Sequence, residues 1–141
     1  MTRKLVCGSL AALLGTLWLA GGADAQDKKP ALAKNMPPYV HAVIFHMKKD
    51  APADAVENMI RDSHELLGKI PTVRHLWVGR PAELATPEYA KKDYQVGLLV
   101  LFDNYEGLKT YLDHPLHTEY LKRHGQYWDN VPVYDFVNQK K

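Results

Sequence analysis

Residues 39–47 read YVHAVIFHM, nine positions in which both alternating sets are largely apolar. Val43, Phe45 and Met47, with His41, form one set, and Val40, Ala42 and Ile44 form the other. A strand built from this stretch sends hydrophobic side chains to both faces of its sheet. Residues 94–102 (YQVGLLVLF) repeat the pattern, with Val96, Leu98 and Val100 set against Leu99 and Leu101. Helices cover only one face of a small sheet, so the other face calls for a second protein layer. A symmetric pair of chains, sheet against sheet, supplies it, and the expected assembly is a homodimer.

The segments around these two strands complete the pattern. Residues 52–67 carry Val56, Met59, Ile60, Ser63 and Leu67 at helical spacing, with Gly68 as the stop and Pro71 forbidding continuation. Residues 73–78 (VRHLWV) alternate as a second strand, and residues 80–93 form a polar excursion punctuated by Pro81 and Pro87. Asp103-x-x-Glu106 reads as a capping box opening a second helix, with Leu108, Tyr111 and Leu112 on its inner face. His114-Pro115 must interrupt that helix, after which Pro115 starts a fresh helical piece to about His124. Residues 131–137 (VPVYDFV) read as the last strand. The order βαββαβ predicts a ferredoxin-like α+β domain over residues 39–138: an antiparallel sheet with its helices on one face, paired into a dimeric α/β barrel.

The amino-terminal part reads differently. Arg3 and Lys4 precede an apolar run at residues 5–20, and Ala23-Asp24-Ala25 has the small-x-small form cut by signal peptidase. Residues 1–25 are therefore expected to be a signal peptide cleaved after Ala25, and residues 26–38, rich in Lys, Ala and Pro, a flexible leader. The expected location is periplasmic or secreted, with no membrane attachment after cleavage. Removing Arg3, Lys4 and Asp24 leaves 16 basic and 15 acidic residues, a balance that carries no signal for nucleic acid. Cys7 goes with the signal, which excludes disulfides, thiolate catalysis and cysteine-ligated zinc from the mature chain.

With these elements placed, VHAVIFHMK, IPTVRHLWVG, YQVGLLVLFDN and YLDHPLHTEY followed by VPVYDFV resemble, in order and spacing, the stress-responsive A/B barrel (Dabb) domain family. The resemblance implies two domains pairing their sheets into a barrel, each with a pocket between its own sheet and helices. It extends to plant polyketide cyclases of the olivetolic acid type, which work by aldol chemistry without a cofactor. His41, Tyr111 and His117 stand where those enzymes have a first-strand pocket histidine, a helix tyrosine and the catalytic histidine, and His114 and Pro115 match as well. On the third strand Val96 replaces a further pocket histidine, which counts against the cyclase substrate.

The candidate catalytic residues are thus His117 as general base, Tyr111 as donor to an enolate oxygen and His41 as an orienting group. Phe45, Val96, Leu98 and His114 are expected to line the pocket. Each has a plainer alternative: His114 as a helix cap, Tyr111 as a core aromatic whose hydroxyl reaches a partner, His41 and His117 as packed histidines with backbone partners. His75 and Trp77 share a strand face and are expected to pack. His114-x-x-His117 has two possible metal ligands, but the proline between them spoils their presentation, so neither metal nor cofactor is expected. Three functions remain open: a small-molecule-binding homodimer, a cofactor-independent His/Tyr acid-base enzyme of cyclase or lyase type, and a non-catalytic structural stress protein.

Overall fold

A computed structural model describes residues 37–84 and 87–139. The expected signal peptide and the leader up to residue 36 lie outside the described residues. The chain runs β1 (Tyr39–Met47), α1 (Ala55–Glu65), β2 (His75–Gly79), β3 (Val96–Phe102), α2 (Tyr105–Leu112), α3 (Pro115–His124), β4 (Trp128–Asn130) and β5 (Val133–Val137). The strands form one sheet in the order β2-β3-β1-β4, with β5 also pairing β1, and every pair is antiparallel. This is the expected ferredoxin-like α+β arrangement, with one strand more than the sequence pattern counts.

The extra strand comes from a proline. Residues 131–137 were expected to be one strand, but Pro132 has no N–H to give to the ladder. The chain instead pairs Trp128 with Met47 at a register shift, then resumes as β5 at Val133, opposite Val43. The Pro132 carbonyl still accepts a bond from the Ile44 N–H at 3.0 Å. The capping box is also displaced by one residue. Asn104, not Asp103, caps α2, its side chain accepting from the Gly107 N–H at 2.9 Å. Asp103 is drawn outward to Arg74 instead.

Antiparallel partners share a face, so the register sorts the side chains. His41, Val43 and Phe45 oppose Val100, Leu98 and Val96 on the helix-covered side, and all six are buried. On the opposite side Ala42 sits between Leu99 and Tyr134, Leu99 opposes Trp77, and Val40 opposes Phe136. Trp77, Tyr134 and Phe136 are 44%, 59% and 53% exposed on this face. Within one chain, then, His75 and Trp77 do not pack into a core: their rings stack on each other, 5.5 Å apart at 17°, on an uncovered apolar surface.

Candidate functional site

The break between α2 and α3 builds one wall of a cavity. The Asp113 N–H returns to the Lys109 carbonyl at 3.1 Å and the His114 N–H to the Tyr111 carbonyl at 3.2 Å, which ends α2. His114 then adopts extended geometry (φ −73°, ψ 140°), as a residue before proline must, and its Nδ1 accepts the Leu116 N–H at 3.1 Å. Pro115 occupies the first turn of α3, where its missing donor costs nothing. The redirected chain carries the His117 ring to within 4.8 Å of the Tyr111 ring, centroid to centroid. An uninterrupted helix would set residues six apart well round its circumference.

From the sheet side, the His41 ring lies 5.9 Å from that of Tyr111. These three side chains, from β1, α2 and α3, line one cavity of about 170 Å³, together with Phe45, Leu98, Tyr120 and Trp128. Val96 and His114, expected in the lining, are not part of it. Val96 is fully buried one register step deeper along β3, and the His114 ring is committed to capping.

Each polar group has a distinct setting. His41 is buried and its Nδ1–H donates to Asp135 Oδ1 at 2.7 Å, because a carboxylate can only accept. That bond turns Nε2 away from the carboxylate and fixes the ring plane. Tyr111 is 1% exposed and no hydrogen bond ties its hydroxyl to the described residues, yet the buried polar side-chain atom left without a partner among them is Thr72 Oγ1, so the Tyr111 hydroxyl meets the cavity space. Burial raises its pKa above the ordinary value of 10, and nearby Tyr120 adds to the rise, so the phenol stays protonated. Burial lowers the His117 pKa below 6.5; the adjacent Leu112 carbonyl opposes this and His41 reinforces it. At neutral pH the site therefore holds a phenol donor beside an uncharged imidazole.

Asp135 was not singled out in the sequence. The signal for it was present: it is the one charged residue of VPVYDFV, and pairing β5 with β1 sets it opposite His41. A second polar cluster was also missed. Asp62, on α1, is 3% exposed and accepts from Arg123 Nη1 at 3.1 Å and from His124 Nε2 at 3.0 Å, tying α1 to the end of α3. Next to it Ser63 meets the Tyr120 hydroxyl at 3.0 Å and donates to the Met59 carbonyl, so the cavity residue Tyr120 is anchored from behind. Among the described residues no three His, Cys, Asp or Glu side chains are grouped to hold a metal ion.

Comparison with known proteins places these features in context. The stress responsive A/B barrel domain (Dabb) matches residues 40–138. No curated protein matches the chain in sequence. Among solved structures, a dimeric ferredoxin-like protein from Thermobifida fusca is similar at 22% identity and a TM-score of 0.61, over 74% of this chain and 92% of that one. A Dabb family protein with a ferredoxin-like fold from Mesorhizobium loti gives 22% identity and a TM-score of 0.59, covering 72% of this chain and 97% of its own. A hydroxynitrile lyase from Passiflora edulis gives 16% identity and a TM-score of 0.63, covering 74% and 97%. At these identities the likeness is one of fold.

Proposed function

The chain belongs to the stress-responsive A/B barrel (Dabb) domain family, and from that premise we propose that its mature form is an exported homodimer in which each protomer binds a small, partly apolar molecule. The observation that carries the binding reading is the convergence of His41, Tyr111 and His117, from three separate elements, on one cavity otherwise lined by apolar groups. A few polar groups aimed into an apolar concavity are the usual form of a small-molecule site. The dimer reading rests on the uncovered face bearing Trp77, Tyr134 and Phe136, and a similar protein from Thermobifida fusca is itself described as dimeric. Export rests on Arg3, Lys4, the apolar run at 5–20 and the Ala23-Asp24-Ala25 cleavage pattern.

Two measurements test this. Native mass spectrometry of the purified protein is expected to reveal a copurifying small molecule that His117→Ala retains less well. A wild-type protein that carries nothing, and whose melting temperature no compound in a broad small-molecule library raises, would sink the binding reading. Amino-terminal sequencing of protein recovered from the periplasm or medium is expected to begin at Gln26. Recovery with residues 1–25 attached overturns export by cleavage.

The His41–Asp135 pair supports a second reading, a cofactor-independent acid-base enzyme. His117 would accept a proton from a carbon next to a substrate carbonyl while the Tyr111 hydroxyl donates a hydrogen bond to the enolate oxygen that forms. His41, its ring held by Asp135, would orient the carbonyl. An enzyme on the same fold, the Passiflora lyase, keeps this reading in view. It predicts catalysed exchange of the carbon-bound proton in a bound ketone, lost in His117→Ala with folding intact. A binder shows saturation without exchange.

A further inference from the structure

We infer that the cavity selects an uncharged molecule of about single-ring size, whose one carbonyl or hydroxyl oxygen accepts the Tyr111 hydroxyl proton, and rejects anions of the same size. This rests on the reading of the cavity as a ligand site.

Size comes first. The cavity measures about 170 Å³. A dry apolar cavity of about 150 Å³ takes up benzene, so a single ring with a short substituent fills the space. Phe45, Tyr111, Tyr120 and Trp128 give it aromatic walls, with the Phe45 and Trp128 rings 4.9 Å apart and those of Tyr120 and Trp128 6.2 Å apart.

Charge follows from the inventory of the lining. No lysine or arginine is among the lining residues. The His41–Asp135 pair sums to zero with the imidazole protonated and to minus one with it neutral, and His117, whose pKa burial holds below 6.5, is uncharged at neutral pH, so neither offers net positive charge there. The exposed lining residues, Leu112, Leu121 and Val133, are apolar. An anion entering this space would give up its water for no compensating charge, a cost that grows steeply with burial.

The oxygen requirement follows from Tyr111. The Tyr111 hydroxyl is not among the buried atoms left without a partner and no hydrogen bond within the described residues holds it, so it opens onto the cavity with a donor to offer. The other polar side chain on that wall, His117, lies ring against ring with it. An acceptor oxygen on the ligand satisfies the phenol, while a hydrocarbon leaves it unmet.

Three probes of matched size separate the terms: acetophenone (neutral, one acceptor), benzoate (anion) and ethylbenzene (no oxygen). Each is titrated into the purified protein and followed by calorimetry and by the ring resonances of His117 and Tyr111. Acetophenone is expected to saturate, and benzoate to bind at least about tenfold more weakly. Tyr111→Phe is expected to weaken acetophenone about fivefold, the worth of one neutral hydrogen bond, and to leave ethylbenzene unchanged. The unchanged ethylbenzene affinity shows that the variant keeps its fold. Benzoate binding on a par with acetophenone, or a Tyr111→Phe variant with the same acetophenone-to-ethylbenzene ratio as wild type, overturns this inference and leaves a ligand site of other chemistry. Failure of all three probes to move the His117 and Tyr111 resonances overturns the ligand-site reading as well.

Discussion

At the scale of single residues, two titrating groups shape how the protein answers to acid. Burial alone would push the Asp62 carboxyl up, but the hydrogen bonds and charges of Arg123 and His124 outweigh it and hold the pKa below 3.8. The folded form thus prefers the carboxylate, and this contribution is complete above pH 3.8 and drains away as pH falls through the lowered value. Asp62→Ala leaves the buried His124 without its acceptor and is expected to cost about 3 kcal/mol at pH 7 by urea unfolding. The gap from wild type should narrow as pH falls from 3.8 through the lowered value. A constant gap would mean that packing, not charge, accounts for the loss. His117 works in the same direction at higher pH. Its folded pKa lies below 6.5, so protonation is easier in the unfolded chain, and stability falls as pH drops from 6.5 through the folded value. Its imidazole resonances are expected to titrate with a midpoint below 6.5, and His41→Ala, which removes one of the depressing influences, should move that midpoint upward.

At the scale of elements, the lesson concerns which local rules survive packing. Asp103-x-x-Glu106 is a good capping signature, but Asn104 caps one residue later, accepting from the Gly107 N–H, and leaves Asp103 to Arg74 across the surface. Urea unfolding tells the two caps apart: Asn104→Ala is expected to cost about 1 kcal/mol, and Asp103→Ala to leave the midpoint nearly where it was. The His114-Pro115 break, by contrast, was legible, because the constraint on the residue before proline does not depend on context. Its consequence was not legible. Whether Tyr111 and His117 converge depends on the angle between α2 and α3, and α3 is held by bonds to Asp62 and Ser63 that form only after α1 docks. The same limit hid Asp135, whose meaning appears only with the β1–β5 register, and it displaced Val96 from the expected lining, since strand alternation gives the face but not the depth. Both faces of β1 and β3 could be read from alternation alone, and with them the fold.

At the scale of the whole molecule, the proposed dimer turns on which outward positions are still open in one protomer. Leu99 and Leu101 both belong to the uncovered face by register, yet they differ: Leu101 is 1% exposed, whereas Leu99 retains accessible surface beside Trp77. A charge at Leu101 is buried inside a single protomer and should cost the fold itself, whereas a charge at Leu99 is buried only when two sheets meet. Leu99→Asp is therefore expected to give a folded monomer, with native-like circular dichroism and half the wild-type mass by light scattering. Leu101→Asp is expected to lose secondary structure at any concentration. Aromatic surface of the kind carried by Trp77, Tyr134 and Phe136 is poorly tolerated in water, so the Leu99→Asp monomer should also be less soluble than the wild type and bind hydrophobic dyes. If Leu99→Asp kept the wild-type mass, a dimer held by some other surface would follow, and the stacked His75–Trp77 pair would need another partner.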